Sequence, residues 1–99
     1  MSRGKYLWLT SRTIKPDRLD DFKEAWVPKR RLKGLITAYL CVSDKDETEL
    51  IGISVWSSRE ACQDYMHSSK EKERRAAMRP LIESVNWVGF YTIRGQVGS

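Results

Sequence analysis

The chain has 99 residues, 40% of them hydrophobic and 31% charged, with a formal net charge of +5. That length allows one compact domain over 1–99, burying about 60–65% of its unfolded surface, and the composition excludes a disordered tail. No apolar run approaches the ~18 residues of a membrane span and no cleavable leader pattern is visible, so a cytoplasmic protein without a membrane partner is expected.

Tyr6 to Ile14 (YLWLTSRTI) is a strand-length run of aromatic, aliphatic and Thr residues, closed by Lys15-Pro16. From Pro16 the period changes. Leu19, Phe22 and Trp26 recur at i, i+3 and i+7 with Asp20, Asp21, Lys23 and Glu24 between them, which predicts an amphipathic helix ending before Pro28. After Gly34, Leu35 to Ser43 (LITAYLCVS) predicts a second strand, and the polar stretch SDKDET turns it into a third, ELIGISVW. These two should be antiparallel neighbours.

Ser57 with Glu60, and Ser68 with Glu71, have capping-box spacing, so a broken second helix is expected with a new start near Ser68. Pro80 disturbs its end. Ser84 to Ile93 (SVNWVGFYTI) predicts the fourth strand, which leaves a core over 6–93 and a frayed tail over 94–99. Cys41 and Cys62 sit among apolar neighbours without a Cys-x-x-Cys spacing and are read as two buried thiols, with a reactive thiol or a disulfide as the alternative.

The order β-α-β-β-α-β is ferredoxin-like, an α+β class in which both helices cover one face of a four-stranded antiparallel sheet. The other face should then be polar, yet both faces are apolar. Ile36, Ala38, Leu40 and Val42 oppose Leu35, Tyr39 and Cys41, and Val88 and Phe90 oppose Val85, Trp87, Tyr91 and Ile93. A patch of that size calls for cover, and a homodimer packed sheet to sheet would supply it.

With this order of elements the chain resembles the antibiotic biosynthesis monooxygenase family of dimeric α/β barrels. The resemblance rests on LDDFKEAWVP, GLITAYL after a turn glycine, ISVWSSREACQDY, and SSKEKERRAAMRP before the last strand. It implies a pocket between helices and sheet in each subunit. It places Trp56 at a strand end beside that pocket, with Tyr65 and Arg75 pointing in from the helices, and Trp26 and Tyr39 join them as candidate ligand-binding rings. The alternative for Trp56 and Tyr65 is plain core, and for Arg74 and Arg75 a solvated face in the charge run KEKERR, since only one of the two can face inward.

Haem-degrading relatives use an Asn on the first strand, a helical Trp and a His ligand ten residues later. Here the only Asn is Asn86 on strand four, Tyr65 stands at the Trp position and Arg75 at the His position, so neither haem nor another cofactor is expected. His67 is the only His, which leaves no zinc-like cluster, and phosphate-binding glycine motifs are missing. His67 is either a surface residue or an acid–base group.

The resemblance implies chemistry that the substrate does largely by itself: oxidation of a hydrophobic, aromatic and anionic phenol or polyketide-like compound by O₂. Tyr65, Arg75 and His67 are the candidate catalytic residues, and Trp56, Trp26, Tyr39, Tyr65 and Arg75 the candidate substrate-binding residues. Two alternatives stand beside this. One is a barrel that binds or scaffolds without turnover. The other is an RNA-binding module of the same element order, suggested by the net charge and by PKRRLK (Pro28 to Lys33). Strand three argues against the latter, because Ile51 and Ile53 stand where stacking aromatics belong.

Overall fold

The computed structural model describes residues 5–98. Strand β1 (Tyr6–Ile14) leads to helix α1 (Leu19–Trp26), strands β2 (Leu35–Val42) and β3 (Glu49–Trp56), helices α2 (Arg59–Met66) and α3 (Ser69–Met78), a 3₁₀ turn at Arg79–Leu81, and strand β4 (Ile82–Thr92). All neighbouring strands are antiparallel in the order β2-β3-β1-β4, the ferredoxin-like arrangement expected from the sequence. β4 stops at Thr92, one residue short of the expected Ile93, and no helix or strand occupies 94–98, the part of the expected tail within the described residues; Ser99 lies outside them. Among the described residues no helix is long and apolar enough to cross a membrane.

Each boundary has a local cause. Helix α1 starts three residues later than Pro16, because Asp17 adopts a left-handed conformation (φ 60°) and turns the chain first. It ends as anticipated, with Val27 extended before Pro28. The cap of α2 is Ser58 and not Ser57: its hydroxyl accepts from the Ala61 N–H at 3.1 Å. Ser68 does cap α3, accepting from the Glu71 N–H at 3.3 Å, while the Glu71 carboxylate turns instead toward Arg74 and Arg75. Gly34 is held at φ +85°, and a Cβ there would stand 2.5 Å from that of Ala61, so only glycine lets the start of β2 pass this close to α2.

Side chains at even positions of β1 (Trp8, Thr10, Arg12, Ile14) face the helices and are buried. Two groups form between the layers. Ile14, Phe22, Leu50, Met78 and Leu81 make an aliphatic-rich core at one end. Trp8, Leu32, Trp56, Cys62 and Tyr65 make an aromatic one at the other.

The outer strands depart from simple alternation. Leu35 pairs with Trp56 but Thr37 with Val55, so Ile36 is an extra residue on β2. Leu35 therefore packs on the aromatic core beneath the helices, not on the side of Tyr39 and Cys41, and Ile36 is exposed. In β4 the shift between Ser11↔Trp87 and Arg12↔Val85 puts Val85 on the same side as Val88 and Phe90, contrary to expectation, while Trp87 and Tyr91 keep the expected opposite side. Cys62 is buried, but Cys41 is exposed on the uncovered face, which corrects the reading of two buried thiols. Tyr39, Ile51, Trp87 and Tyr91 are exposed there too.

Candidate small-molecule site

The two cores leave a gap between them. Its floor comes from β1 (Trp8, Thr10, Arg12) and β3 (Gly52, Ser54, Trp56), its roof from Trp26, Tyr65 and Arg74, and its side from Pro28 and Leu32. The space is about 40 Å³, enough for roughly two or three waters or the head group of a small acid. Outside it runs a groove of about 780 Å³ between α1, the basic loop after it and α3. Pro28, Leu32, Tyr65 and Arg74 belong to both spaces and form the partition between them. Gly52 helps to make the inner space: a Cβ there would come within 3.0 Å of Trp26 Nε1 and 3.3 Å of Arg12 Nη1.

Glu71 organises the roof. It is 1% exposed; one of its oxygens accepts from Arg74 Nε at 3.0 Å and the other from Arg75 Nε at 2.9 Å. Arg74 also donates from Nη1 to the Trp26 carbonyl (2.7 Å) and from Nε to Tyr65 Oη (3.2 Å), tying α3 to the end of α1 and to α2. Tyr65 stacks on Trp56 with ring centroids 5.3 Å apart, and Trp56 Nε1 donates to Ser54 Oγ at 2.8 Å. Burial pushes the Tyr65 phenol up to about 12, with Arg74 pulling it down and Glu71 adding to the rise.

The sequence-predicted residues divide. Trp56, Tyr65 and Trp26 meet at the pocket. Arg75 does not: its side chain is 51% exposed on the outer side of α3, whereas that of Arg74 is 13% exposed and lines both spaces. One residue along a helix is a rotation of about 100°, so the inward arginine is the neighbour of the one chosen from sequence. Tyr39 projects from the uncovered face of the sheet, since it pairs with Ile53 and shares that side. His67 caps the C-terminal end of α2 in an exposed position, its Nδ1 2.8 Å from the Gln63 carbonyl, and lines neither space.

Arg12 and Trp8 were not singled out from the sequence; Arg74 was weighed only as the alternative to Arg75, and Glu71 only as a capping-box partner. Arg12 had a readable signal, a charge at an inward position of an alternating strand. It is 6% exposed. Its guanidinium carbon lies 5.6 Å from the Phe22 ring centroid. Its Nη1 and the Trp8 Nε1 are buried without a hydrogen-bond partner among the described residues. Burial pushes the Arg12 guanidinium down to about 10, with Arg74 adding to the fall and Glu71 opposing it, so it is still charged at neutral pH.

Fold and pocket together define a ferredoxin-like α+β protein with a cleft between helices and sheet. Residues 7–79 match the sequence pattern of the family described as "Antibiotic biosynthesis monooxygenase", and the chain belongs to that family. No curated protein sequence matches it. Among solved structures it is similar to an antibiotic biosynthesis monooxygenase-type protein from Chloroflexus aurantiacus, at 19% identity and TM-score 0.82 over 96% of this chain and 98% of that one. It is similar to SnoaB, a cofactor-independent oxygenase from Streptomyces nogalater, at 15% identity and TM-score 0.82 over 97% and 99%. A protein of the same type from Nitrosomonas europaea gives 16% identity and TM-score 0.81 over 99% and 97%. At these identities the structural likenesses establish the fold.

Proposed function

We propose that this chain binds a hydrophobic aromatic small molecule between its helices and its sheet, and oxidises it with O₂ and no added cofactor. The observation that carries the reading is the convergence of the Trp8, Trp26, Trp56 and Tyr65 rings, with Arg74, on one pocket that adjoins a groove. Rings of this kind hold a planar substrate by stacking while the site excludes water. Arg74 favours the ionised form of a phenol, and the phenolate is the form that gives up electrons readily. With a phenol as substrate the reaction balances without a reductant. One oxygen atom enters the ring as a quinone oxygen, the other leaves as water with the two hydrogens lost by the substrate, and the substrate supplies all the electrons.

The working unit is a homodimer that covers Tyr39, Ile51, Trp87 and Tyr91, an apolar surface that a monomer would leave in water. Sedimentation at micromolar concentration should show a dimer, and Cys41, which lies on that surface, should react slowly with iodoacetamide until the dimer is dissociated. A clean monomer with a fast Cys41 rejects this part. For the reaction, oxygen uptake is followed with phenolic polyketide-like compounds. Turnover should need O₂, and Arg74→Ala should slow it more than Arg75→Ala. Binding without uptake across the series would make the protein a binder, and equal effects of the two arginine variants would reject the site.

A further inference from the structure

Resting on the pocket just proposed, we infer that Arg12 Nη1 and Trp8 Nε1 together form a seat for a single anionic oxygen group, a carboxylate or phenolate on a planar ring, at the inner end of the site. Both atoms are buried, both belong to side chains that line the same space, and neither has a partner among the described residues. Buried donors in native proteins are almost always satisfied, so two orphans on side chains that line one gap point to an acceptor that belongs there.

The charge pattern says what kind of acceptor. Each oxygen of Glu71 is taken by another arginine, Arg74 or Arg75, and no ion pair of Arg12 occurs among the described residues. A cation buried beside the Phe22 ring, with a second guanidinium across the pocket, is costly until an anion joins it. A neutral carbonyl or a water would satisfy the hydrogen bonds and leave the charge uncompensated. The volume of about 40 Å³ admits the head of such a molecule and not its body. The ring then packs against Pro28, Leu32, Tyr65 and Arg74, the side chains shared with the outer groove, whose rim carries Lys29 and Arg30. The seat therefore orients the ligand: anionic end on the sheet, hydrocarbon end toward the helices.

The test compares benzoate with benzamide, which has the same shape and no charge, by tryptophan fluorescence titration on the full chain and on Arg12→Gln, Arg12→Lys and Trp8→Phe. Wild type should prefer benzoate by about tenfold or more, as a charge-assisted hydrogen bond gives, and Arg12→Gln should reduce the preference to about twofold or less. Arg12→Lys should keep part of it, and Trp8→Phe should weaken benzoate without abolishing it. Without any probe, the thermal midpoint of Arg12→Gln should equal or exceed that of wild type, because it removes an uncompensated buried charge; a fall would mark Arg12 as purely structural and overturn the seat. Adding 4-nitrophenol identifies the head group. A lowered ionisation pH on binding supports a phenolate, and an unchanged one alongside benzoate preference supports a carboxylate. If benzoate and benzamide bind equally and Arg12→Gln changes neither, the seat is refuted while the aromatic pocket stands. If neither probe perturbs the tryptophans, both fall.

Discussion

The two ends of the layer between helices and sheet are built on different terms. At the Ile14, Phe22, Leu50, Met78 and Leu81 end, apolar side chains from β1, β3, α1, α3 and the turn after it close on one another. At the Trp8, Leu32, Trp56, Cys62 and Tyr65 end, large rings meet polar tips, a buried carboxylate sits nearby and a gap persists. One end contributes stability through packing volume; the other holds charge and space at a cost that the first must offset. A small domain can keep a pocket when the work is divided in this way.

The largest effect should come from breaking the apolar end. Phe22 is fully buried, and Phe22→Ala should lower unfolding free energy by about 3–5 kcal/mol. Urea denaturation reads this directly. A loss as small as that of a surface substitution would erase the distinction between the two ends.

Next comes charge at the aromatic end. Glu71→Gln conserves volume but leaves Arg74 and Arg75 without their carboxylate, beside Arg12. A cost of about 3 kcal/mol is expected, the lower part of the range for breaking a buried pair because Arg75 is half exposed. Raised salt should recover part of it, whereas Phe22→Ala should not respond to salt.

Last comes a pH effect confined to the same end, the smallest for any single group. The Tyr65 phenol is raised from 10.0 to about 12, and the Cys62 thiol, through burial and then the charge of Glu71, from 9.0 to about 11. Each folded value lies above the unfolded one. The stability these groups contribute is therefore complete below pH 9 and is lost as pH climbs from there toward 12. Tyr65 alone accounts for about 2 kcal/mol of that loss, and Tyr65→Phe should flatten the upper part of the denaturation midpoint against pH. Arg12 acts in the opposite sense: its folded value lies below its unfolded one, so the cost of its charge is relieved as pH rises past about 10, and Arg12→Gln should steepen the decline.

Much of the fold was readable because two periods, 2 and 3.6, are written plainly in the strands and in α1. The errors came from single-residue phase. Ser57 and Ser58 offer the same hydroxyl, and only the backbone geometry decides that Ser58 is the cap. Arg74 and Arg75 are chemically alike, and the inward one follows from how α3 is rotated by Met78 in the core and by Glu71 beneath the helix. Extra residues in the outer strands moved Leu35 and Val85 to sides that strict alternation denies them. Arg12 escaped notice because a charged residue in a strand is ordinarily a solvent-facing one, and its burial depends on α1 and α3 closing over β1.

The extra residues in the outer strands also bear on how this chain behaves when crowded. Ile36 interrupts the ladder on β2, and Asn86 and Glu83 interrupt it on β4, so every register shift in the sheet involves one of its two edges. A bulged, twisted edge offers no straight row of amide and carbonyl groups to an incoming strand. Fibril growth by strand addition is thereby discouraged at both borders, while the apolar face remains open to association of another kind.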